Sequence, residues 1–198
     1  MAKSRGLEGT DEDFADKLNE FIENDYKLSD RKDYFSCGYA NEILESCGLD
    51  CSLEIIITQS GMKKILGQKK GKQDDAHDLT SIEVLRLPQL IQHPILVING
   101  NTSDTRVVFV EIPRRGRKVF AVIELNMNLN FRFYNLVATV YSQESHKVSE
   151  KILSAEATNS IYYYDSHKIK NWLSEIGKLQ LLPNITANSL FTDKDFQV

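Results

Sequence analysis

A histidine at position 77, with a threonine at 139 and a tyrosine at 141 much further along, brings together residue types that suit phosphodiester chemistry. Cleavage of RNA without a metal needs a base for the 2′-OH proton and an acid for the leaving 5′-oxygen. It also needs donors for the charge that builds on the phosphate. Histidine is the side chain whose ordinary pKa lets it exchange a proton near neutrality. His77, Thr139, Tyr141 and Gln180, with a cation such as Lys118 or Arg132, supply the set. Glu124 is a second candidate base, although a carboxylate in a strand more often faces a lysine across the ladder. In a regular strand Arg132 falls on the face opposite Tyr141 and joins the group only if a bulge or twist intervenes. Lys118 shares its strand face with Val122 and Glu124. The residues leave the choice among these open, and they leave open a plain surface histidine in a charged loop.

Other chemistries find no support. The chain has no G-x-x-x-x-G-K-[ST] loop, no G-x-G-x-x-G and no G-x-S-x-G elbow. Cys37, Cys47 and Cys51 form no C-x-x-C pair, and their odd number argues against a disulfide framework and a zinc site. Cys47 reads as a small buried hydrophobe, in keeping with a reducing compartment. His146 and His167 stand apart, and His93, before Pro94, reads as a cap on helix carbonyls. We therefore expect no metal and no cofactor. The N-terminus lacks the apolar segment of a signal peptide, and no run approaches a membrane span. The expected site of action is cytoplasmic, with delivery inside a larger protein left open and no membrane partner.

The elements that must position these residues follow from pattern. Thr80 and Glu83 have the spacing of a capping box, so a helix starts at about Ser81, just after His77. Pro88 breaks it near Leu87, and Pro94 ends the second piece. Residues 68–76 are polar and read as a mobile loop. Upstream, Phe14, Leu18, Phe21 and Ile22 make one helical stripe behind Thr10 and Asp13. A second helix through Ile43, Leu44 and Cys47 stops at Gly48, a strand covers Leu53 to Ile57, and a helix opened by Thr58 closes at Gly67. Strands are expected over 95–98, 106–112, 117–127 and 131–141, with a hairpin turn at Pro113 to Gly116. A helix near 147–153, a strand at 161–164 and a helix carrying Ile169, Trp172 and Leu173 complete the pattern. Along 131–141, Leu136, Ala138 and Val140 should point to the helices, and Asn135, Thr139 and Tyr141 away from them.

The chain has 198 residues, 41% apolar and 26% charged, enough for one ordinary core. Its net charge of −4 speaks mildly against nucleic acid, but the charge is uneven. Residues 1–60 carry 6 basic and 14 acidic side chains, whereas 61–198 carry 18 and 14. Six cations (Arg106, Arg114, Arg115, Arg117, Lys118 and Arg132) stand against Glu111 and Glu124 between 106 and 132. That excess can form a phosphate-binding surface, or simply decorate a hairpin.

An H-x-L segment (His77 to Leu79), the Leu87-Pro88 and Leu90-Ile91 helix end, the Pro94-Ile95 strand start, two long strands and Thr139-Val140-Tyr141 resemble the MuF C-terminal domain. Upstream Gly48-Leu49 and Leu53 to Thr58 also fit. So do Tyr164 to Leu173 and the Gly177 to Pro183 ending in the tail. The likeness spans roughly residues 35–190, and the order of these short motifs carries more than any one of them. The resemblance implies a phage or polymorphic-toxin domain of the barnase, EndoU, colicin and RelE-like nuclease class. That is an α+β fold with N-terminal helices followed by an antiparallel sheet of about four strands. It implies a toxin-type, metal-independent ribonuclease acting on cellular RNA such as tRNA, with a cognate immunity protein as a further partner. His77, Tyr141 and Thr139 would be its catalytic residues, and Lys118, Arg132 and Gln180 would hold RNA. Residues 1–34 read as an acidic helical appendage and 35–198 as the domain. The acidic balance keeps two alternatives in view, a non-catalytic interaction module of a phage or delivery protein and an acidic immunity-type inhibitor.

Overall fold

The computed structural model describes residues 12–28, 34–68, 77, 79–114, 116–175 and 177–196. Helix α1 (Glu12–Glu23) turns Phe14, Leu18 and Phe21 to one side and buries all three. It lies on strand β1 (Tyr34–Tyr39), where the Phe35 ring sits 5.8 Å from Phe14 and 5.1 Å from Phe21. Helix α2 (Glu42–Ser46) begins at Asn41, whose side chain accepts from the Leu44 amide, and ends before Gly48 at φ +92°. A Cβ at Gly48 would also meet the Arg106 guanidinium at 2.8 Å, so both backbone angle and space demand glycine there. Strand β2 (Glu54–Thr58) leads into helix α3 (Gln59–Ile65), capped by the Thr58 hydroxyl accepting from Gly61. Helix α4 (Ser81–Leu85) carries both halves of the Thr80–Glu83 capping box. Helix α5 (Leu87–Gln92) holds Pro88 in its first turn, where no donor is missed.

Strands β3 (Leu96–Asn99), β4 (Thr105–Val110), β5 (Arg117–Leu129) and β6 (Arg132–Glu144) follow in an antiparallel meander. Then come helix α6 (Ser145–Ala157), strand β7 (Ile161–Tyr164), helix α7 (Ile169–Glu175), helix α8 (Leu182–Asn188) and strand β8 (Ser189–Thr192). The expectation of an antiparallel sheet of about four strands does not hold. The sheet is mixed and has eight strands in the order β1-β2-β6-β5-β4-β3-β7-β8. The meander is its centre. On one flank β2 joins β6 in parallel and β1 pairs outside β2. On the other, β7 joins β3 antiparallel and β8 joins β7 in parallel. Short turns reveal pairing between neighbours in sequence, but nothing local in Glu54–Thr58 states that its partner lies some 80 residues on. β1 and β8 are short and contain Gly38 or border an irregular tail, so neither reads as a strand from its residues.

Helices cover both faces. Phe35, Ile55, Ile57, Val97, Val108, Val110, Val119, Ala121, Ile123, Val137 and Val140 point toward α1 to α5 in one continuous core. Leu96, Ile98, Phe109, Phe120 and Ile161 point toward α6, α7 and α8 in a second. A bulge lets Val122 face Thr139 and Ile123 face Val137, leaving Ala138 unpaired. That extra residue breaks the strict alternation expected along 131–141: Val137 and Val140 share the first core, while Thr139 and Tyr141 lie on the other face. Among the described residues no helix is long and apolar enough to cross a membrane.

Candidate functional site

His77 reaches the sheet because both ends of the preceding segment are tied down. Gly67 closes α3 at φ +68°, and its α-carbon passes so near the His77 carbonyl that a Cβ would lie 2.9 Å from that oxygen. Two residues later the Leu79 amide donates to the Ile65 carbonyl at 3.2 Å. β2 pairs with β6 only at Asn135 and Leu136, so the later half of β6 presents an edge with no strand beside it among the described residues. His77 comes to this edge. Its Nδ1 is 3.2 Å from the Val140 carbonyl, and its ring is 5.4 Å from the Tyr141 ring. A carbonyl only accepts, so Nδ1 carries the hydrogen in this pair, and Nε2 is the ring nitrogen left for another partner. Residues 69–76 and Asp78, read as part of the mobile approach loop, lie outside the described residues.

Beside the imidazole, β6 lines up Thr139, Tyr141 and Gln143 on one face. Tyr141 packs against Phe120 with the ring centroids 4.4 Å apart and the planes tilted, and burial pushes its phenol up from the usual range, so the hydroxyl stays protonated and able to donate. Thr139 Oγ1 and Gln143 Oε1 are buried, and neither has a hydrogen-bond partner among the described residues. Buried polar atoms are rarely left this way, and two flanking one tyrosine mark a place suited to a polar ligand. Gln143 escaped the sequence reading, although counting two residues on from Tyr141 would have reached it.

The remaining candidates are scattered. Lys118 sits on β5 opposite Gln143, but its side chain crosses to α7, where it pairs with Glu175 and lies 5.3 Å over the Trp172 ring. Arg132 is exposed at the start of β6, nine residues from Tyr141, roughly 30 Å along a strand. The Ala138 bulge brings it onto Tyr141's face after all, but at the far end. Gln180 is exposed in a 3-10 turn at Leu179–Leu181. Glu124 pairs with Leu136 in the sheet and opposite Thr105, also away from the imidazole. The structure thus brings together His77, Tyr141 and Thr139, and adds Gln143.

The charge excess of 106–132 is mostly spent inside the chain. Arg106 is buried and donates to the carbonyls of Cys47 (2.5 Å), Ser103 and Thr105 and to Asn99, with Tyr162 under its guanidinium at 4.3 Å. Arg114 pairs with Glu83 at 2.8 Å, and Arg117 donates to the hydroxyl and carbonyl of Ser142. Arg115 lies outside the described residues. The expected capping role of His93 belongs instead to Asn41, whose amide donates to the Gln92 carbonyl at 2.7 Å, while the His93 side chain is exposed. No group of three or more His, Cys, Asp or Glu among the described residues is placed to hold a metal ion.

No curated protein and no solved structure matches this chain. A family model does. The phage MuF-C-terminal domain matches residues 68–171, which run from the approach to His77, through the whole meander and α6, to the first turn of α7. The match takes in His77, Thr139, Tyr141 and Gln143 and leaves α1 and Gln180 outside. Spanning more than half of the chain and the entire candidate site, it shows that this protein belongs to the phage MuF C-terminal domain family.

Proposed function

We propose that the chain is a metal-independent ribonuclease of toxin type, carried by a phage-associated protein and directed at cellular RNA, with His77 as its base. The observation that carries this reading is the imidazole held between the Val140 carbonyl and the Tyr141 ring, with Nδ1 turned to the carbonyl and Nε2 left for substrate. In the proposed reaction Nε2 takes the proton of a ribose 2′-OH, the 2′-oxygen attacks the adjacent phosphorus, and the bond to the 5′-oxygen breaks. Tyr141 and Thr139 donate hydroxyl hydrogens to the phosphate oxygens as charge builds on them. The leaving 5′-oxygen takes a proton from water, and the imidazolium returns its own to the hydroxide so formed. The products are a 2′,3′-cyclic phosphate and a free 5′-OH. Gln143 would hold the nucleotide through its unspent amide oxygen. An immunity protein that covers this edge would be the natural partner.

The test uses the full chain, RNA and a chelator. His77→Ala should lose about 10²–10⁴-fold in cleavage rate with its melting temperature nearly unchanged. Full activity in that variant would remove His77 from the chemistry. A second reading has its own observation: of the six cations between residues 106 and 132, Arg106, Arg114, Arg117 and Lys118 are engaged within the chain. If the purified chain cleaves no RNA with or without divalent ions, a non-catalytic module of a phage-associated protein becomes the better account.

A further inference from the structure

The β5–β6 hairpin outruns its neighbours. β4 stops pairing with β5 at Glu124, and β2 meets β6 only at Asn135 and Leu136, so residues 127–134 have strand partners only in one another among the described residues. A bulge between Glu124 and Met127, with Asn126 at φ +53°, interrupts the ladder at the root of this arm. At its tip Leu129 pairs with Arg132, and the two turn residues, Asn130 (φ +51°) and Phe131 (φ +66°), are both left-handed. Such a turn favours Asn-Gly, because side chains beyond Cβ crowd the backbone there. This chain puts a phenylalanine in the glycine position and leaves it 99% exposed. Phe133 is 56% exposed, and Arg132 stands between the two rings. Strain at an exposed aromatic helps no core, so its use must lie outside the chain.

We infer that this tip is a base-stacking arm for single-stranded RNA, with Phe131 and Phe133 as platforms and Arg132 as the phosphate contact. The inference rests on the nuclease reading and extends it to how substrate is held. Arg132 is the only charged side chain between Leu125 and Gln143, while Asn126, Asn128 and Asn130 supply neutral amides beside the rings. Flat aromatic faces interleaved with one guanidinium and several amides suit unpaired bases, which offer a π-face whatever their identity. The position fits as well. The Ala138 bulge places Arg132 on the same face as Tyr141 and Phe133 on the opposite one, so a strand leaving the His77 site along β6 meets the guanidinium first and reaches the rings by wrapping the tip.

Two substrates separate the arm from the chemistry, a uridine oligomer of about 12 nucleotides and a dinucleoside phosphate too short to span both places. Phe131→Gly and Phe133→Ala in the full chain should each raise KM for the oligomer about 5–150-fold and leave dinucleoside turnover unchanged. Arg132→Ala should lower the slope of log affinity against log salt by about 0.7. Phe131→Gly should melt at the same temperature or higher, since glycine suits the turn. Oligomer kinetics untouched by the Phe variants would overturn the arm and leave the nuclease reading standing. A chain that cleaves neither substrate, yet binds the oligomer less tightly after Phe131→Gly, would keep the arm and overturn the nuclease reading. A dimer that Phe131→Gly dissociates, with RNA affinity unaltered, would make the tip a self-association surface and overturn the proposal.

Discussion

The two faces of the sheet are covered alike by helices but filled differently. Toward α1 to α5 the interior is one unbroken apolar cluster; its buried amide, Asn135, donates to the Asp50 carbonyl at 3.0 Å but leaves its own oxygen without a partner among the described residues. Toward α6, α7 and α8 the cover is thinner, and Thr139, Gln143 and the Trp172 indole each bury a polar atom with no partner among the described residues. An unmade hydrogen bond in an interior costs about 1–3 kcal/mol, so the second face, where Thr139, Gln143 and Trp172 gather, gives up more stability than the first. The difference teaches where to look: the first face holds the molecule together, and the second, next to His77, keeps polar groups in reserve.

The largest effect should come from stripping the first face. Removing residues 1–33 takes away Phe14, Leu18 and Phe21, each buried at 3% exposure or less. At about 1.5–3 kcal/mol per side chain the loss rivals the stability of a whole domain. Calorimetry should find no cooperative melting in the shortened chain. A sharp transition would instead establish 34–198 as a unit that folds alone, and the first face as less decisive than its packing implies.

On the second face the main effect should fall on rate. Tyr141→Phe removes one donor and should lower RNA cleavage by about 10²–10³-fold with melting unchanged. An equal loss of stability would make Tyr141 a packing residue. Thr139→Val sharpens the contrast further. It removes a buried hydroxyl that has no partner and keeps the shape, so melting should rise by about 2–4 °C while cleavage falls. A drop in melting temperature would show that the hydroxyl is satisfied after all.

The smallest effect concerns the cap that anchors α4 to the first face. Burial pushes the Glu83 carboxyl up, but the Thr80 backbone and hydroxyl and the Arg114 guanidinium together outweigh it and hold it below the usual range. Its contribution is therefore present above the unfolded carboxylate pKa and lost as pH falls through the lower, folded value. Glu83→Gln should melt below the parent at neutral pH, by no more than about 1 kcal/mol in stability, and the gap should close in acid. A gap that persists in acid would mean that the ion pair contributes nothing.

Local chemistry was legible in the residues, and long-range pairing was not. The Thr80–Glu83 box, the stops at Gly48 and Gly67, the break before Pro88 and the strand Ile161 to Tyr164 all stand where side-chain pattern puts them. Each depends on atoms a few residues apart. The parallel partners β2 with β6 and β7 with β8 depend on surfaces distant in sequence, so the sheet is twice the expected size. At the site, His77 and the Thr139–Tyr141 pair could be picked out by residue type, but their meeting could not. It follows from β2 ending early and exposing the Val140 carbonyl. The Ala138 bulge likewise has no signature in Leu136 to Val140, yet it decides which side of the sheet Arg132 faces. The arginines misled because their number is visible in the sequence and their internal acceptors, such as the Cys47 and Ser142 carbonyls, are not.

Gly67 and His77 touch across a gap of nine residues in sequence, and Leu79 is tied to Ile65 just beyond them. A chain whose two anchor points are already clasped does not depend on the length of what runs between them. Doubling that stretch should cost only about 0.6 kcal/mol in closure entropy. Relatives are thus free to lengthen, shorten or rewrite it while the imidazole stays in place. The approach to the imidazole is where this architecture can vary what reaches the site without disturbing the site itself.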